Sequence, residues 1–160
     1  MAKFDAALFD SGFAIGSTHY DDHYHPDEQQ NRIVLTIEPV TNKYSPTKMI
    51  VDTGAPWCIL DPYLAEAWDV TSNSDRAPLT SLTIRGETRT GRLLRASILL
   101  QATNGEDLTV EATFFIPFID PDEEWTYPNF LGLSGFLDRI RFAVDASENA
   151  FYFGSVIDAV

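Results

Sequence analysis

The chain has 160 residues, 44% hydrophobic and 22% charged, which suits one globular domain and argues against wholesale disorder. Twenty-four acidic residues against 11 basic ones give a formal charge of -13, which repels phosphate backbones and anionic bilayers and argues against nucleic-acid and membrane partners. The single cysteine, Cys58, excludes an intrachain disulfide, and no apolar run approaches the length of a membrane-spanning helix.

Residues 1–18 are mildly apolar, with Phe4, Ala6, Leu8 and Phe9 ahead of Gly12 and Gly16, the pattern of a short strand or an ordered arm. Asp5 and Asp10 interrupt this stretch, so no signal peptide is visible and a cytoplasmic location is the default expectation. Thr18 to Asn31 is polar and acidic around Pro26 and reads as a linker or exposed loop. The expected division is therefore an arm or linker over residues 1–30 and a compact domain over residues 31–160. His19, His23 and His25, interleaved with Asp21, Asp22 and Asp27, are metal-ligand types. Neither helical nor paired-strand spacing unites the three histidines, so a solvated loop is expected, with no metal and no cofactor.

Arg32 to Val40 alternates, with Ile33, Leu35 and Ile37 on one face and Val34 and Thr36 on the other; a turn at Asn42 to Thr47 leads into a second strand, Lys48 to Asp52. Asp61 followed by Pro62 supplies an N-cap and a first-turn proline, predicting a short helix to about Trp68. Strand-like alternation then runs through Leu82 to Ile84 and Arg92 to Gln101. Asn104-Gly105 marks a hairpin whose partner strand is Leu108 to Ile116. Pro117 to Pro128 is an acidic loop, Pro128 to Leu137 reads as partly helical, and two strands follow around Ser147-Glu148-Asn149. The expected class is all-β with two short helices, in a small closed or partly closed barrel. Trp57, Trp68 and Cys58 are read as core residues.

Asp52-Thr53-Gly54-Ala55 lies between the apolar runs Met49-Ile50-Val51 and Trp57-Cys58-Ile59-Leu60, which places a carboxylate on a tight turn between two buried strands. An acid among apolar neighbours is costly unless it is hydrogen-bonded or shares a proton, and functional sites are where that cost is tolerated. Gly54 allows a second backbone to come close. Asp, Thr and Gly are also ordinary turn formers, so the flanking strands carry the argument.

Ile50-Val51-Asp52-Thr53-Gly54-Ala55, a hairpin about 30 residues later, and Phe130-Leu131-Gly132 ahead of Gly135-Phe136-Leu137-Asp138 together resemble the retroviral-type (retropepsin-like) aspartic proteases. Bacterial single-lobe members are the best match, over roughly Asn31 to Gly154. The resemblance implies a closed acid-protease barrel that acts without a cofactor on peptide or protein substrates. It implies Asp52 as the catalytic carboxylate, Thr53 bonding across a dimer interface, Gly54 and Ala55 completing the turn, and Leu131 and Gly132 supporting it. The hairpin at roughly Leu82 to Leu94, including Arg85, Gly86, Glu87 and Thr88, would be the flap over substrate, or else a plain surface hairpin. Trp125 and Tyr127, in the loop before the second glycine segment, would line a substrate pocket. Leu133-Ser134 stands where retroviral enzymes carry Arg followed by Asn or Asp, a departure at the usual intersubunit ion pair.

Peptide hydrolysis of this kind needs two carboxylates about 3 Å apart sharing one proton, and one chain supplies one such motif. Asp10-Ser11-Gly12 lies 42 positions before Asp52 and lacks a preceding strand and a following helix. A homodimer with Asp52 from each copy at the twofold axis is therefore expected. The alternatives are a non-catalytic peptide-binding or dimerisation module of the same fold, and an unrelated ligand-binding barrel.

Overall fold

Alternation in Val34–Pro39 (β2) and Thr47–Val51 (β3) yields an antiparallel pair in which Leu35 is opposite Met49 and Val34 opposite Ile50. The computed structural model describes residues 3–41, 46–71 and 74–157. Of the turn expected at Asn42 to Thr47, residues 42–45 therefore lie outside the described residues.

The remaining elements in chain order are Lys3–Asp10 (α1), Gly16–His19 (β1), Cys58–Ile59 (β4), Pro62–Ala67 (α2), Leu79–Ile84 (β5), Glu87–Leu100 (β6), Asn104–Gly105 (β7), Leu108–Pro117 (β8), Phe130–Leu131 (β9), Ile140–Asp145 (β10) and Ala150–Ser155 (β11). Strands β2, β3, β9, β4, β8 and β6 follow one another in a sheet, and β6 returns to β2 through Glu38↔Leu99 and Pro39↔Ile98. Six strands thus close on themselves and leave no open edge among them. β5 hangs from β6 outside this ring.

Inside the barrel, Leu35, Ile37, Met49, Ile98, Leu100, Phe114 and Leu131 are fully or almost fully buried. Burial of each such side chain is worth about 1.5–3 kcal/mol. A second cluster of Val34, Ile50, Ile59, Ile84, Phe115 and Phe130 seats the β5–β6 hairpin, with Leu82 and Leu93 packed against it. Trp68 is buried and meets Phe114 edge to face at 6.2 Å, while Trp57 packs half-buried on the second cluster.

A four-stranded sheet, ordered β10-β11-β1-β7, completes the fold. Within the stretch read as an arm or linker, Lys3–Asp10 is helical and β1 pairs with β11 from Gly16↔Phe153 to His19↔Ala150. Asn104-Gly105 also departs from a simple hairpin turn: it forms β7, which pairs with β1, inside the connection from β6 to β8.

The expectation of helix over Pro128 to Leu137 requires correction. Phe130–Leu131 is a strand, parallel to β3 and antiparallel to β4, and only Leu137–Arg139 forms a turn of 3-10 helix. Two residues cannot show a period; tertiary pairing decided their conformation. The helix at Asp61-Pro62 forms as expected, its cap made by the Tyr63 amide donating to Asp61 Oδ1 at 2.8 Å.

Candidate active site

The Asp52 turn is built by backbone hydrogen bonds from both neighbouring strands. The amide of Ile50 donates to the Asn129 carbonyl at 2.9 Å, that of Val51 to Ile33 at 2.8 Å, and that of Asp52 to Leu131 at 2.9 Å. β9 thereby locks the end of β3, and the carboxylate leaves the sheet at a fixed point. The Ala55 amide closes the turn on the Asp52 carbonyl at 3.1 Å, and the Gly54 amide donates to Asp52 Oδ1 at 2.9 Å. A Cβ on Gly54 would stand 3.2 Å from that same oxygen, so glycine keeps the carboxylate uncrowded.

Beyond the turn the chain passes beneath the second glycine segment. Leu133 and Ser134 amides donate to the carbonyls of Ala55 and Pro56 at 2.8 and 3.0 Å. Gly132 is buried at this crossing, and a Cβ there would overlap the Trp57 carbonyl and lie 2.7 Å from that of Ala55. The Gly132 amide points at the Cys58 sulfur, and burial pushes the Cys58 thiol up to about 12.

Asp52 is half-buried, Thr53 and Gly54 are exposed, and Ala55 is buried. A cleft of about 230 Å³ opens beside the carboxylate, lined by Ile59 and Phe130 and by Leu82, Ile84 and Arg85 of the hairpin. Asp52 is the only carboxylate lining it among the described residues. Asp10 ends α1 and follows no strand.

Of the hairpin residues expected to form a flap, Arg85 and Gly86 make its two-residue tip, with Ile84 opposite Glu87 and Thr83 opposite Thr88. Both tip residues have positive φ, 50° and 85°, as in a type I′ turn. For an arginine this conformation costs about 1–2 kcal/mol.

Trp125 and Tyr127 lie outside the lining of the Asp52 cleft. Their rings meet edge to face at 5.0 Å and pack on the second cluster against the hairpin. The Tyr127 hydroxyl donates to Glu87 Oε2 at 2.6 Å, and that bond raises its pKa. Arg89, little exposed, pairs with Glu123 at 2.5 Å and Glu87 at 3.1 Å and lies 5.6 Å from the centre of the Trp125 ring. The bond to Arg89 holds the Glu123 carboxyl below its ordinary range. This network straps the 117–128 loop to the hairpin. Sequence reasoning missed Arg89 and Glu123, whose charges there look like any solvated face; the interleaving of Glu87 and Arg89 with Trp125 and Tyr127 emerges only in three dimensions.

His23 Nδ1 lies 2.6 Å from Asp22 Oδ1, which lowers the pKa of Asp22, and His25 packs edge to face on Tyr24. His19 ends β1 and borders a separate cleft with Asp5 and Glu148. Among the described residues no group of three or more His, Cys, Asp or Glu side chains is placed to hold a metal ion. No helix among them is long and apolar enough to cross a membrane.

A crystal structure of a retropepsin-like aspartic protease from Rickettsia conorii is similar to this chain, with a TM-score of 0.54 at 17% identity, covering 87% of this chain and 91% of that one. The retroviral protease-like domain of Ddi1 from Leishmania major is similar over 79% of this chain and 94% of its own, with a TM-score of 0.48 at 16% identity. No protein-family model matches the chain, and no curated protein does. The closed barrel, the hairpin outside it and the superposition on the rickettsial enzyme establish a retropepsin-like fold.

Proposed function

We propose that the chain is an aspartic endopeptidase that works as a homodimer, with one Asp52 from each copy. The observation that carries this reading is the seat of Asp52: a carboxylate fixed by β9, hydrogen-bonded to the Gly54 amide, and facing a cleft that holds no second acid among the described residues. The exposed Thr53 and Gly54 beside it are available to a symmetry-related turn, as a twofold assembly of the site requires.

In that assembly the two carboxylates share one proton. The ionised Asp52 takes a proton from water as the oxygen attacks the peptide carbonyl, and the protonated one donates its hydrogen bond to the carbonyl oxygen. Collapse of the tetrahedral species breaks the C–N bond while a carboxyl delivers the proton to the leaving amine. The β5–β6 hairpin closes over the substrate and limits water access. Ala55 provides no hydroxyl to the carboxylate pair, so the pH optimum lies above about 3, milder than that of pepsin-like enzymes with serine at this position.

The test is Asp52→Asn in the full chain, assayed for peptide cleavage and for assembly by analytical ultracentrifugation. Cleavage abolished with the dimer retained supports the reading; unchanged cleavage, or a monomeric wild-type chain that still cleaves, overturns it. A second reading, a non-catalytic peptide-binding or dimerisation module, is favoured by Leu133-Ser134, where Leu133 is 49% exposed and no arginine is available for the family's intersubunit ion pair.

A further inference from the structure

We infer that the Asp52 cleft selects peptides carrying an acidic side chain close to the bound segment's centre, through Arg85 at the hairpin tip and Arg32, both of which line it. The inference rests on reading this cleft as a peptide site. The chain has 11 basic residues against 24 acidic ones, yet two of the 11 border a cleft whose only carboxylate is Asp52. No ion pair joins either arginine to Asp52 among the described residues.

The two neighbouring arginines of β6 serve the fold. Arg89 is held by Glu87 and Glu123, and Arg92 donates to the Ala77 carbonyl at 2.7 Å and lies over Phe118. Arg85 makes no ion pair, hydrogen bond or ring contact with another described residue. It also occupies a left-handed backbone position, φ 50°, where asparagine, aspartate or glycine is the ordinary choice for this turn. Strain at a residue with no intramolecular partner points to an external one. Arg32 is only loosely engaged, its Nε 3.9 Å from Glu28 Oε2, and its side chain, like that of Arg85, is exposed. Two arginines lining one cleft with the apolar Ile59 and Phe130 fit an extended peptide that lays an apolar side chain against those two residues and a carboxylate against an arginine.

The overall charge of -13 opposes the approach of an acidic peptide, but that field is screened within about 10 Å in ordinary buffer. At contact distance the arginines decide the preference.

The test uses the full-length Asp52→Asn chain, which holds peptide without turnover, and degenerate fluorescent octapeptide libraries fixed as Glu or as its isostere Gln at one position in turn. Anisotropy is expected to show roughly tenfold tighter binding with Glu at one or two positions. Arg85→Gln and Arg32→Gln should each erase most of that gap, and Arg85→Lys should retain part of it. Equal affinity for Glu and Gln libraries, a gap unmoved by both glutamine variants, or no binding of either library overturns the inference. Wild-type turnover of the same libraries separates the two ideas. Cleavage indifferent to Glu leaves the peptidase standing and removes the selectivity, whereas arginine-dependent binding without wild-type cleavage leaves the selectivity standing and removes the peptidase.

Discussion

The Gly132 amide donates to the Cys58 sulfur across 3.4 Å, tying the second glycine segment to the strand that follows the Asp52 turn. The thiol is buried, and loss of hydration pushes it from 9.0 up to about 12. Native Cys58 should therefore react with a disulfide reagent at pH 8 about 10³-fold more slowly than the same residue in denaturant, because only the thiolate attacks. Stopped-flow titration with and without guanidinium checks this; rapid native labelling would show that the crossing opens readily.

At the same crossing, Gly132→Ala should destabilise the chain by about 2–3 kcal/mol, because the added methyl meets the backbone carbonyls of Trp57 and Ala55, which cannot rotate away. Urea unfolding is the measurement. The displaced turn should also lower any cleavage activity out of proportion to the loss of stability.

Acid should loosen the hairpin before it unfolds the barrel. The folded pKa of Glu123 is depressed by Arg89, so its contribution is complete above the unfolded value of 4.5 and disappears as pH falls through the lower folded value. The raised Tyr127 pKa acts at the other end: its bond to Glu87 is intact below 10.0 and is lost as pH rises through the higher folded value. Hydrogen exchange of β5 should accelerate as pH falls through that lowered value while β8 stays protected, and Glu123→Gln should produce the fast exchange already at neutral pH.

Asp52→Asn should lower peptide hydrolysis by a factor on the order of 10²–10⁴ with little change in thermal stability, since among the described residues the lost charge accepts one backbone hydrogen bond. Thr53→Ala should instead shift the monomer–dimer equilibrium toward monomer and make activity depend on protein concentration. Sedimentation and rate measurements over a hundredfold concentration range distinguish the two effects.

Strands with local periodicity were legible. Leu35 and Ile37 announce β2, and Leu94, Ile98 and Leu100 announce β6, because one face of each is buried in the barrel. Asp61-Pro62 marked its helix because a cap and a fixed φ are local chemistry. Phe130–Leu131 was misread, since a two-residue strand owes its conformation to β3 and β4, which are remote in sequence. The α1 helix was hidden for a related reason: Phe4, Ala6, Leu8 and Phe9 fit a strand as well as a helical turn. The Asp52 turn could be found because its motif and flanking strands are contiguous, whereas the Arg32–Arg85 pairing joins residues 53 positions apart and required the folded hairpin.

β6 is flanked by both β5 and β8 at Gly91 and Arg92 but pairs only with β5 before them, since Gly91 is opposite both Thr80 and Pro117. A side chain at Gly91 would strike the Ile116 carbonyl, so the strand is pinned there by backbone against backbone. That pin marks where the hairpin, seated on the second cluster and tied by Arg89 and Tyr127, gives way to a stave of the barrel. Substitutions at the Arg85-Gly86 tip should therefore leave the barrel's framework undisturbed.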